Sequence, residues 1–249
     1  MNNSPIKIGV ICPSRPNSKF LAHFIHGYLA KTKDKINTKL WVMPSEKDQW
    51  NREFISYIEQ NHPDEIKFVW ENYGLAQRGH DRYLNELSAL AIEDGCHWVS
   101  AICEDMYHIQ QDWDKYLRNF IIERQLDWKK IYCIIPGFTT PGACEHILSF
   151  GWLDAVKTWG KYCNADSYIN TVIDQLGDEI KAERRIDFTL PMFIDYTRDL
   201  RFMNLLNTEL PGEPQTEEIL PVKWGDPQIL QDIAEDARKL KRAIIEQEK

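Results

Sequence analysis

Residues 97–105 of the chain read His-Trp-Val-Ser-Ala-Ile-Cys-Glu-Asp and give the clearest indication of the fold. The first seven of these residues are mostly apolar and predict a buried β-strand. Glu104 and Asp105 end this strand, and two adjacent carboxylates at such a position are costly unless a cation lies close to them. Taken alone, the pair is also compatible with an ordinary polar turn, whereas its setting in the chain favours a ligand site.

Strands and helices alternate on both sides of this stretch. Short apolar runs predict further strands at residues 7–12, 39–43, 65–70 and 130–135. Apolar residues recur at helical spacing near 20–29, 50–58, 78–93 and 113–122, and Ser45 is a candidate cap for the second of these helices. Alternation at this spacing predicts an α/β fold, with a mainly parallel, Rossmann-like sheet flanked by helices.

The pattern is less regular after residue 136. Helices are predicted near 151–158 and 166–177, and a strand near 188–194. Residues 207–227 are rich in Pro, Glu and Thr and predict an extended connector, and the tail up to residue 249 has the apolar period of an amphipathic helix. We therefore predict one α/β domain at 1–206, followed by a connector and C-terminal helical tail at 207–249.

The overall composition narrows the class of protein. The chain is 43% hydrophobic, which is typical of globular proteins, and its net charge of −8 disfavours a broad nucleic-acid-binding surface. No apolar stretch approaches the roughly 18 residues that a membrane span needs, and the amino terminus lacks the features of a signal peptide. The six cysteines form no Cys-x-x-Cys pair, which indicates reduced thiols. We expect a cytoplasmic protein without an integral membrane segment.

The charge is unevenly distributed along the chain. Residues 1–40 contain seven basic side chains and one acidic side chain, a local net charge of +6. One interpretation is a solvated basic face on an acidic protein. The other is an edge of the first half of the domain that faces an anionic ligand.

Unusual polar segments follow three of the predicted strands. Pro13-Ser14-Arg15-Pro16 follows the first, Asn72–Arg78 follows the third and Glu104-Asp105 follows the fourth. Ligands of open parallel sheets bind outside the carboxyl ends of the strands, so we expect these segments to converge. Carboxylates suit a hard cation such as Mg²⁺ or Mn²⁺, and Arg15 and Arg78 suit phosphate oxygens. Together they predict a site for a nucleoside diphosphate.

With these segments the sequence resembles the GT-A glycosyltransferases that use nucleotide-diphospho-sugars, in particular the family-two group. The matching elements are Pro13–Arg15, the Asn-x-Gly-x-x-x-Arg stretch and the acidic pair. The resemblance implies that residues 1–105 bind the nucleotide-sugar and that 106–206 bind the acceptor. It implies that Asp105 binds Mn²⁺ or Mg²⁺ with Glu104 as its partner. The residues implied to contact the nucleotide-sugar are Pro13, Ser14, Arg15, Glu46, Asn72, Gly74, Arg78 and Glu104, with Asp48 as the alternative to Glu46.

The resemblance also reaches the acceptor side. Asn164-Ala165-Asp166-Ser167 is similar to the region that supplies a general base in inverting members, which implies that Asp166 deprotonates the acceptor hydroxyl. Capping of the helix that begins there is a second role for Asp166. Asp195 stands where the family often has a histidine metal ligand. Trp113 and Trp152 are the tryptophans that we consider for contact with the acceptor.

These observations predict a metal-dependent glycosyltransferase. Its donor would be a UDP- or GDP-sugar, and its acceptor a hydroxyl of a glycan, lipid, protein or modified nucleobase. Two alternatives stay open: a non-catalytic domain that binds a nucleotide or glycan, and a nucleotidyltransferase. A P-loop ATPase is excluded because the chain has no Gly-x-x-x-x-Gly-Lys-Ser/Thr motif.

Overall fold

The computed structural model describes residues 5–14, 16–70, 80–138, 146–160, 165–195 and 225–249. Within these ranges the chain forms eight strands and eight helices. The strands are β1 Ile8–Pro13, β2 Thr38–Met43, β3 Ile66–Phe68, β4 Trp98–Ala101, β5 Met106–His108, β6 Cys133–Phe138, β7 Ile147–Ser149 and β8 Arg185–Asp195. The helices are α1 Leu21–Lys31, α2 Arg52–Asn61, α3 His80–Glu93, α4 Trp113–Glu123, α5 Phe150–Val156, α6 Ala165–Asp174, α7 Asp178–Arg184 and α8 Pro227–Gln247.

The eight strands form one sheet in the order β3-β2-β1-β4-β7-β6-β8-β5. The pairs β3–β2, β2–β1, β1–β4 and β6–β8 are parallel, and only β5 and β7 run against the other strands described. This arrangement confirms the predicted α/β fold with a mainly parallel sheet. The sequence pattern did not reveal β5 and β7, because three residues are too few to show a period.

The far end of the sheet curls back towards β4. The hydrogen bond from Met106 N–H to Cys103 O folds this segment into a turn, so Ala101 and Met106 lie well within the roughly 18 Å that five extended residues span. Four strand spacings in a flat sheet would take about 19 Å. The register between β6 and β8 is irregular from Pro136 to Phe138, and such irregularities bend a sheet. The last residues of β8 therefore pair with β5 close to the carboxyl end of β4.

Helices cover both faces of the sheet, and successive strand residues point to opposite faces. Ile11, Trp41 and Met43 pack on the side of α3, α5, α6 and α8. Val10 and Val42 pack on the side of α1, α2 and α4. Two apolar layers therefore enclose the strands, which explains why the strand segments read as nearly continuous apolar runs.

The cysteines in the described ranges are free thiols, and three of them, Cys12, Cys96 and Cys133, are buried. Burial raises the pKa of Cys96 to about 12 and also raises that of Cys133. Both thiols are therefore protonated at neutral pH and act as small core residues. Cys144 and Cys163 lie outside the described residues.

The helix after β2 begins later than the sequence suggested. Ser45 does not cap it: α2 starts at Arg52, and the Ser45 hydroxyl instead accepts a hydrogen bond from the Lys47 N–H at 3.3 Å. Fully buried Asp48 holds the intervening turn, because its carboxylate accepts from the backbone N–H of Asn51 at 3.0 Å and from the Asn51 side-chain amide at 2.8 Å. These hydrogen bonds hold residues 48–51 in a turn, so the helix begins only at Arg52.

The C-terminal helix packs on the domain core. Ile233, Ala237 and Leu240 of α8 are buried in the same apolar layer as α5 and α6. The Tyr168 hydroxyl donates to the carboxylate of buried Asp236 at 2.6 Å. The division of the chain at residue 206 stays a prediction, since residues 196–224 lie outside the described part. No helix in the described ranges combines the length and apolar character that crossing a membrane requires.

Stability is expected to fall in acid because of His108. Its imidazole is fully buried beside the rings of Phe24, Tyr28 and Trp113. Burial lowers the pKa of His108 from 6.5 to about 3, although nearby Asp114 opposes the shift. Between these values the unfolded chain binds a proton that the native protein excludes. Stability is therefore complete above pH 6.5 and falls as the pH drops towards 3, with a limiting slope of roughly 1.4 kcal/mol per pH unit.

This prediction can be checked by guanidinium unfolding of the wild type and of His108→Phe at several pH values. Between pH 7.5 and 5.5 the wild type should lose about 1.4 kcal/mol more unfolding free energy than the variant. Above pH 7.5 the difference between the two proteins should be constant. An identical pH dependence of both proteins would show that His108 does not stay neutral in the native state.

Candidate functional site

The carboxyl ends of β1 to β4 meet at one edge of the sheet. Backbone hydrogen bonds continue past the strand ends: Ser14 N–H donates to Met43 O at 2.9 Å, and Val69 N–H donates to Val42 O at 2.8 Å. On the other side of β1, Ile102 N–H donates to Ile11 O at 2.9 Å. The described residues just after β1, β3 and β4, namely Ser14, Val69 and Ile102, therefore lie at one edge of the sheet. The convergence of Arg15 and Asn72–Arg78 with them stays a prediction, since those residues lie outside the described part.

The acidic pair forms the turn between β4 and β5. The Met106 N–H donates to Cys103 O at 3.1 Å and closes this turn, in which Glu104 is buried and Asp105 is half-buried. Asp195 pairs in register with Met106, so the end of β8 lies directly beside the turn. The curled sheet thus brings together two acidic segments that are 90 residues apart in the chain. The Asp195 side chain lies outside those described.

These carboxylates have the chemistry of a hard-cation site. Among the described side chains, no three His, Cys, Asp or Glu residues are grouped closely enough to bind a metal ion by themselves. Mg²⁺ sites commonly use one or two carboxylates and complete the coordination with substrate phosphates and water. The carboxylates of the acidic turn suit a metal of this kind.

The loops after β1 and β2 are joined to each other by hydrogen bonds. The Asn17 side-chain oxygen accepts hydrogen bonds from the Gln49 N–H at 2.8 Å and the Trp50 N–H at 3.2 Å. The Asn51 amide donates to Ser18 O at 3.0 Å. Because Asn51 also engages the buried Asp48 carboxylate, Asp48 has a structural role, while Glu46 is exposed and accessible to a ligand.

The other residues proposed for nucleotide binding are only partly described. Pro13 is the buried last residue of β1, and half-buried Ser14 follows it at the site edge. Four further candidates lie outside the described residues: Arg15, Asn72, Gly74 and Arg78.

The helix that carries Asp166 faces the same edge. Asp166 is the second residue of α6, so it lies inside the helix and is not its N-cap; its side chain lies outside those described. One turn later, Asn170 is 3.1 Å from the imidazole Nε2 of His146. His146 precedes β7 and is buried, and its backbone oxygen accepts from the Ala101 N–H at 3.3 Å. Because Asn170 lies only one helical turn after residue 166, this part of α6 lies close to the end of β4.

Sequence reasoning missed His146 and Asn170. His146 lies in a stretch that the sequence shows only as an irregular loop, and no spacing links it to Asn170. The contact joins α6 to the residue that precedes β7, 24 positions earlier in the chain, and it has no signature in the local sequence.

The two tryptophans considered for acceptor contact lie in the core. Trp113 is fully buried, and its indole N–H donates to the Thr32 hydroxyl at 3.1 Å. Trp152 is 2% exposed and packs with Tyr168 of α6 near Asp236 of α8. Neither ring offers an open face to a sugar, so we leave both out of the proposed site.

The local positive charge lies mainly at the opposite edge. Lys7 precedes β1, residues 31–35 precede β2, and Lys39 stands near the start of β2, so these lysines lie at the amino ends of the strands. Lys39 forms an ion pair with Asp94 at 2.6 Å. The interpretation of these five lysines as an anion-facing edge of the site is therefore wrong. They form a basic surface remote from the strand ends that carry the acidic turn.

Comparison with solved structures identifies the fold. TarS of S. aureus, residues 1–349 in complex with UDP, is similar with a TM-score of 0.58 at 13% identity over 83% of this chain and 67% of that chain. The same TarS fragment in complex with UDP-GlcNAc gives a TM-score of 0.56 at 11% identity over 94% and 72% of the two chains. The mannosyltransferase PcManGT from Pyrobaculum calidifontis, in complex with GDP-Man and Mn²⁺, gives 0.56 at 13% identity over 98% and 74%.

The sequence matches no known protein-family profile and no curated protein. Likeness to these structures at 11–13% identity establishes the fold, which is the GT-A fold of glycosyltransferases. The fold implied by the short sequence motifs is therefore confirmed.

Proposed function

We propose that the protein is a metal-dependent glycosyltransferase that transfers a sugar from a UDP- or GDP-sugar to an acceptor hydroxyl. The observation that carries this proposal is the turn Glu104–Asp105 at the joined ends of β1 to β4, with Asp195 in register beside it. The TarS and PcManGT structures with UDP, UDP-GlcNAc and GDP-Man bound support the same class of donor.

In this proposal Asp105 and Glu104 hold Mn²⁺ or Mg²⁺, and Asp195 completes the acidic set. The metal would neutralise the diphosphate as it leaves the sugar. Buried Glu104 and half-buried Asp105 sit on a short turn between two strands, which keeps their backbone in place before the donor binds.

The remaining donor contacts come from the loops at the same edge. Pro13 ends β1, and Ser14 and Glu46 lie on the two loops that the side chains of Asn17 and Asn51 join by hydrogen bonds. We assign nucleotide contacts to these residues and to Arg15, Asn72, Gly74, Arg78 and Glu104. The arginines would pair with phosphate oxygens, which favours a diphosphate over a neutral ligand.

Asp166 is the proposed general base. It lies one helical turn before Asn170, whose side chain contacts His146 at the end of β4. Asp166 would accept the proton of the acceptor hydroxyl as this oxygen attacks the sugar. A base on α6 and a metal on the acidic turn would then act from the acceptor half and the donor half of one site.

A non-catalytic nucleotide-binding domain is the second candidate. The described residues contain no group of three metal-ligating side chains, and the acidic pair begins with Glu104. A domain of this kind would bind a nucleotide through the same loops without cleaving the donor.

A ligand screen separates these functions. Thermal unfolding would be followed with UDP, GDP, CDP and their sugars, with and without Mn²⁺, and release of the nucleoside diphosphate would be measured in parallel. One nucleotide at about 100 times its Kd should stabilise the protein by about 2.7 kcal/mol, a shift of roughly 5–10 °C that depends on Mn²⁺. Binding without release would favour the non-catalytic domain, and pyrophosphate release from a nucleoside triphosphate would favour a nucleotidyltransferase. The absence of any shift would refute nucleotide binding.

A further inference from the structure

The segment that carries Asp166 is held on both of its flanks by side chains from other elements. On the first flank, Asn85 of α3 binds the backbone just before α6. Its amide nitrogen donates to Gly160 O at 2.9 Å, and its amide oxygen accepts from the N–H groups of Trp159 and Gly160. The side-chain amide of Asn85 therefore both donates to and accepts from the backbone of two consecutive residues, Trp159 and Gly160, much as the backbone of a neighbouring β-strand does.

On the second flank, His146 binds α6 itself. Its Nε2 lies 3.1 Å from the Asn170 side-chain oxygen, a bond that requires hydrogen on Nε2. The backbone of His146 is anchored in turn, since its carbonyl accepts from Ala101 at the end of β4. The His146 ring is buried, so solvent does not compete strongly for this bond.

These two contacts bracket Asp166, which lies six residues after Gly160 and four residues before Asn170. Each contact originates on an element next to the donor loops: α3 follows the Asn72–Arg78 segment, and His146 bonds to the strand that leads into the acidic turn. In addition to apolar packing, the bonds of Asn85 and His146 therefore tie α6 and the segment before it to α3 and to the end of β4.

We propose that Asn85 and His146 are positioning residues that set the position of the general base relative to the bound donor. This inference rests on the proposed glycosyltransferase function. A displacement of about 1 Å at a reacting group can reduce the rate about 100-fold, so loss of either bond should slow transfer without weakening donor binding. Neither residue touches the donor or the reacting atoms in this assignment.

The test compares substitutions that remove each bond with one that retains it. Asn85→Leu and His146→Leu should lower kcat for transfer by about 10- to 100-fold, with an unchanged KM for the donor. His146→Gln keeps an N–H donor at a position similar to Nε2 and should retain most of the wild-type kcat. Asn61→Leu, which removes an exposed amide at the end of α2, is the matched control and should leave kcat unchanged.

Two further measurements separate positioning from a merely structural role. The acid limb of the pH profile of kcat should move in Asn85→Leu and His146→Leu, because it reports the base in the complex with substrate. Donor hydrolysis should fall less than transfer. The proposal would be overturned if transfer and donor hydrolysis fell equally while the acid limb of the pH profile of kcat stayed unchanged. It would also be overturned if His146→Leu and His146→Gln had equal activity.

Hydrogen exchange keeps the inference testable if the wild type proves not to be a transferase. The amides of residues 165–170 should exchange about 10-fold faster in Asn85→Leu and His146→Leu than in the wild type, because local opening there costs less. Unchanged exchange would refute the two contacts as restraints on α6. A wild type without donor binding or turnover would instead refute the proposed function.

Discussion

Asp105→Asn is expected to lower sugar transfer about 1000-fold and to abolish the effect of Mn²⁺ on donor binding. The substitution preserves the size of the side chain and removes the charge that attracts the metal. Loss of one electrostatic contact to a developing charge costs about 100- to 1000-fold in rate, and loss of the metal removes several contacts together. Initial rates of transfer and thermal shifts with and without Mn²⁺ would measure both effects.

Asp166→Asn provides the contrast. It should lose turnover to a similar extent and keep metal-dependent donor binding, because the base acts on the acceptor. Asp154→Asn is the control, since Asp154 is exposed and forms an ion pair with Lys157 just after the same helix, and it should leave both measurements unchanged. Full activity of Asp105→Asn would refute the metal assignment, and full activity of Asp166→Asn would refute the base.

Asp114→Ala is expected to destabilise the protein by about 3–5 kcal/mol, a large part of the stability of a typical domain. The Asp114 carboxylate is fully buried and accepts hydrogen bonds from the N–H groups of Lys33 and Asp34 at 2.8 and 2.9 Å. It also accepts from Arg118 at 2.7 Å and from the Thr38 hydroxyl at 3.2 Å. Removal of the carboxylate leaves two backbone donors without this acceptor and takes the ion-pair partner from the nearly buried guanidinium of Arg118, which keeps its hydrogen bonds to Ile6 O and the Thr38 hydroxyl.

The charge state of Asp114 supports this expectation. Burial alone would raise the pKa of Asp114, but hydrogen bonds from Lys33, Asp34 and Arg118 outweigh it and hold the pKa below the ordinary value of 3.8. The group therefore contributes stability above pH 3.8 and loses it as the pH falls through its native pKa. The stabilisation is fully present at neutral pH, where the variant would be measured.

Guanidinium unfolding at pH 7.5 would give the loss in free energy. Asp154→Ala removes an exposed carboxylate and should change stability by no more than about 0.5 kcal/mol. Asp114→Asn retains an acceptor and should lie between Asp114→Ala and the wild type. A loss below about 1 kcal/mol for Asp114→Ala would show that the network adds no more than a single ordinary hydrogen bond.

The sequence predicted those parts of the fold that depend on local pattern. Strands β1, β2 and β4 and helices α1, α3 and α4 appear within a few residues of their predicted bounds, because each buries a continuous or periodic set of apolar side chains. Gly95, with its φ of +84°, ends the region of α3 as expected for glycine. Segments without such a pattern were placed poorly: β5 and β7 are too short to show a period, and the side chain of Asp48 delays α2.

The candidate site divides in the same way. The sequence could predict that the acidic pair lies at the same edge as the end of β1, since the carboxyl ends of parallel strands share one edge whatever the loop conformation. For Arg15 and Asn72–Arg78 this grouping stays a prediction. The sequence could not show at which edge of the sheet the lysines of residues 1–40 lie, because this depends on whether each loop joins the amino or the carboxyl end of a strand. It also could not show that Trp113 and Trp152 are buried, since an aromatic residue on a helix suits a core or a binding face equally well.

The class of fold and the turn Glu104–Asp105 after β4 could thus be predicted from the amino-acid sequence, because both follow from the local order of apolar and charged residues. The residues that surround this turn could be identified only from the tertiary structure. The curled sheet brings Asp195 beside Met106, and the contacts of Asn85 and His146 tie α6 and the segment before it to α3 and to the end of β4. These contacts join residues that lie 24 to 89 positions apart in the chain. They depend on the bend of the sheet and on helix packing, and neither has a signature in any single stretch of the chain.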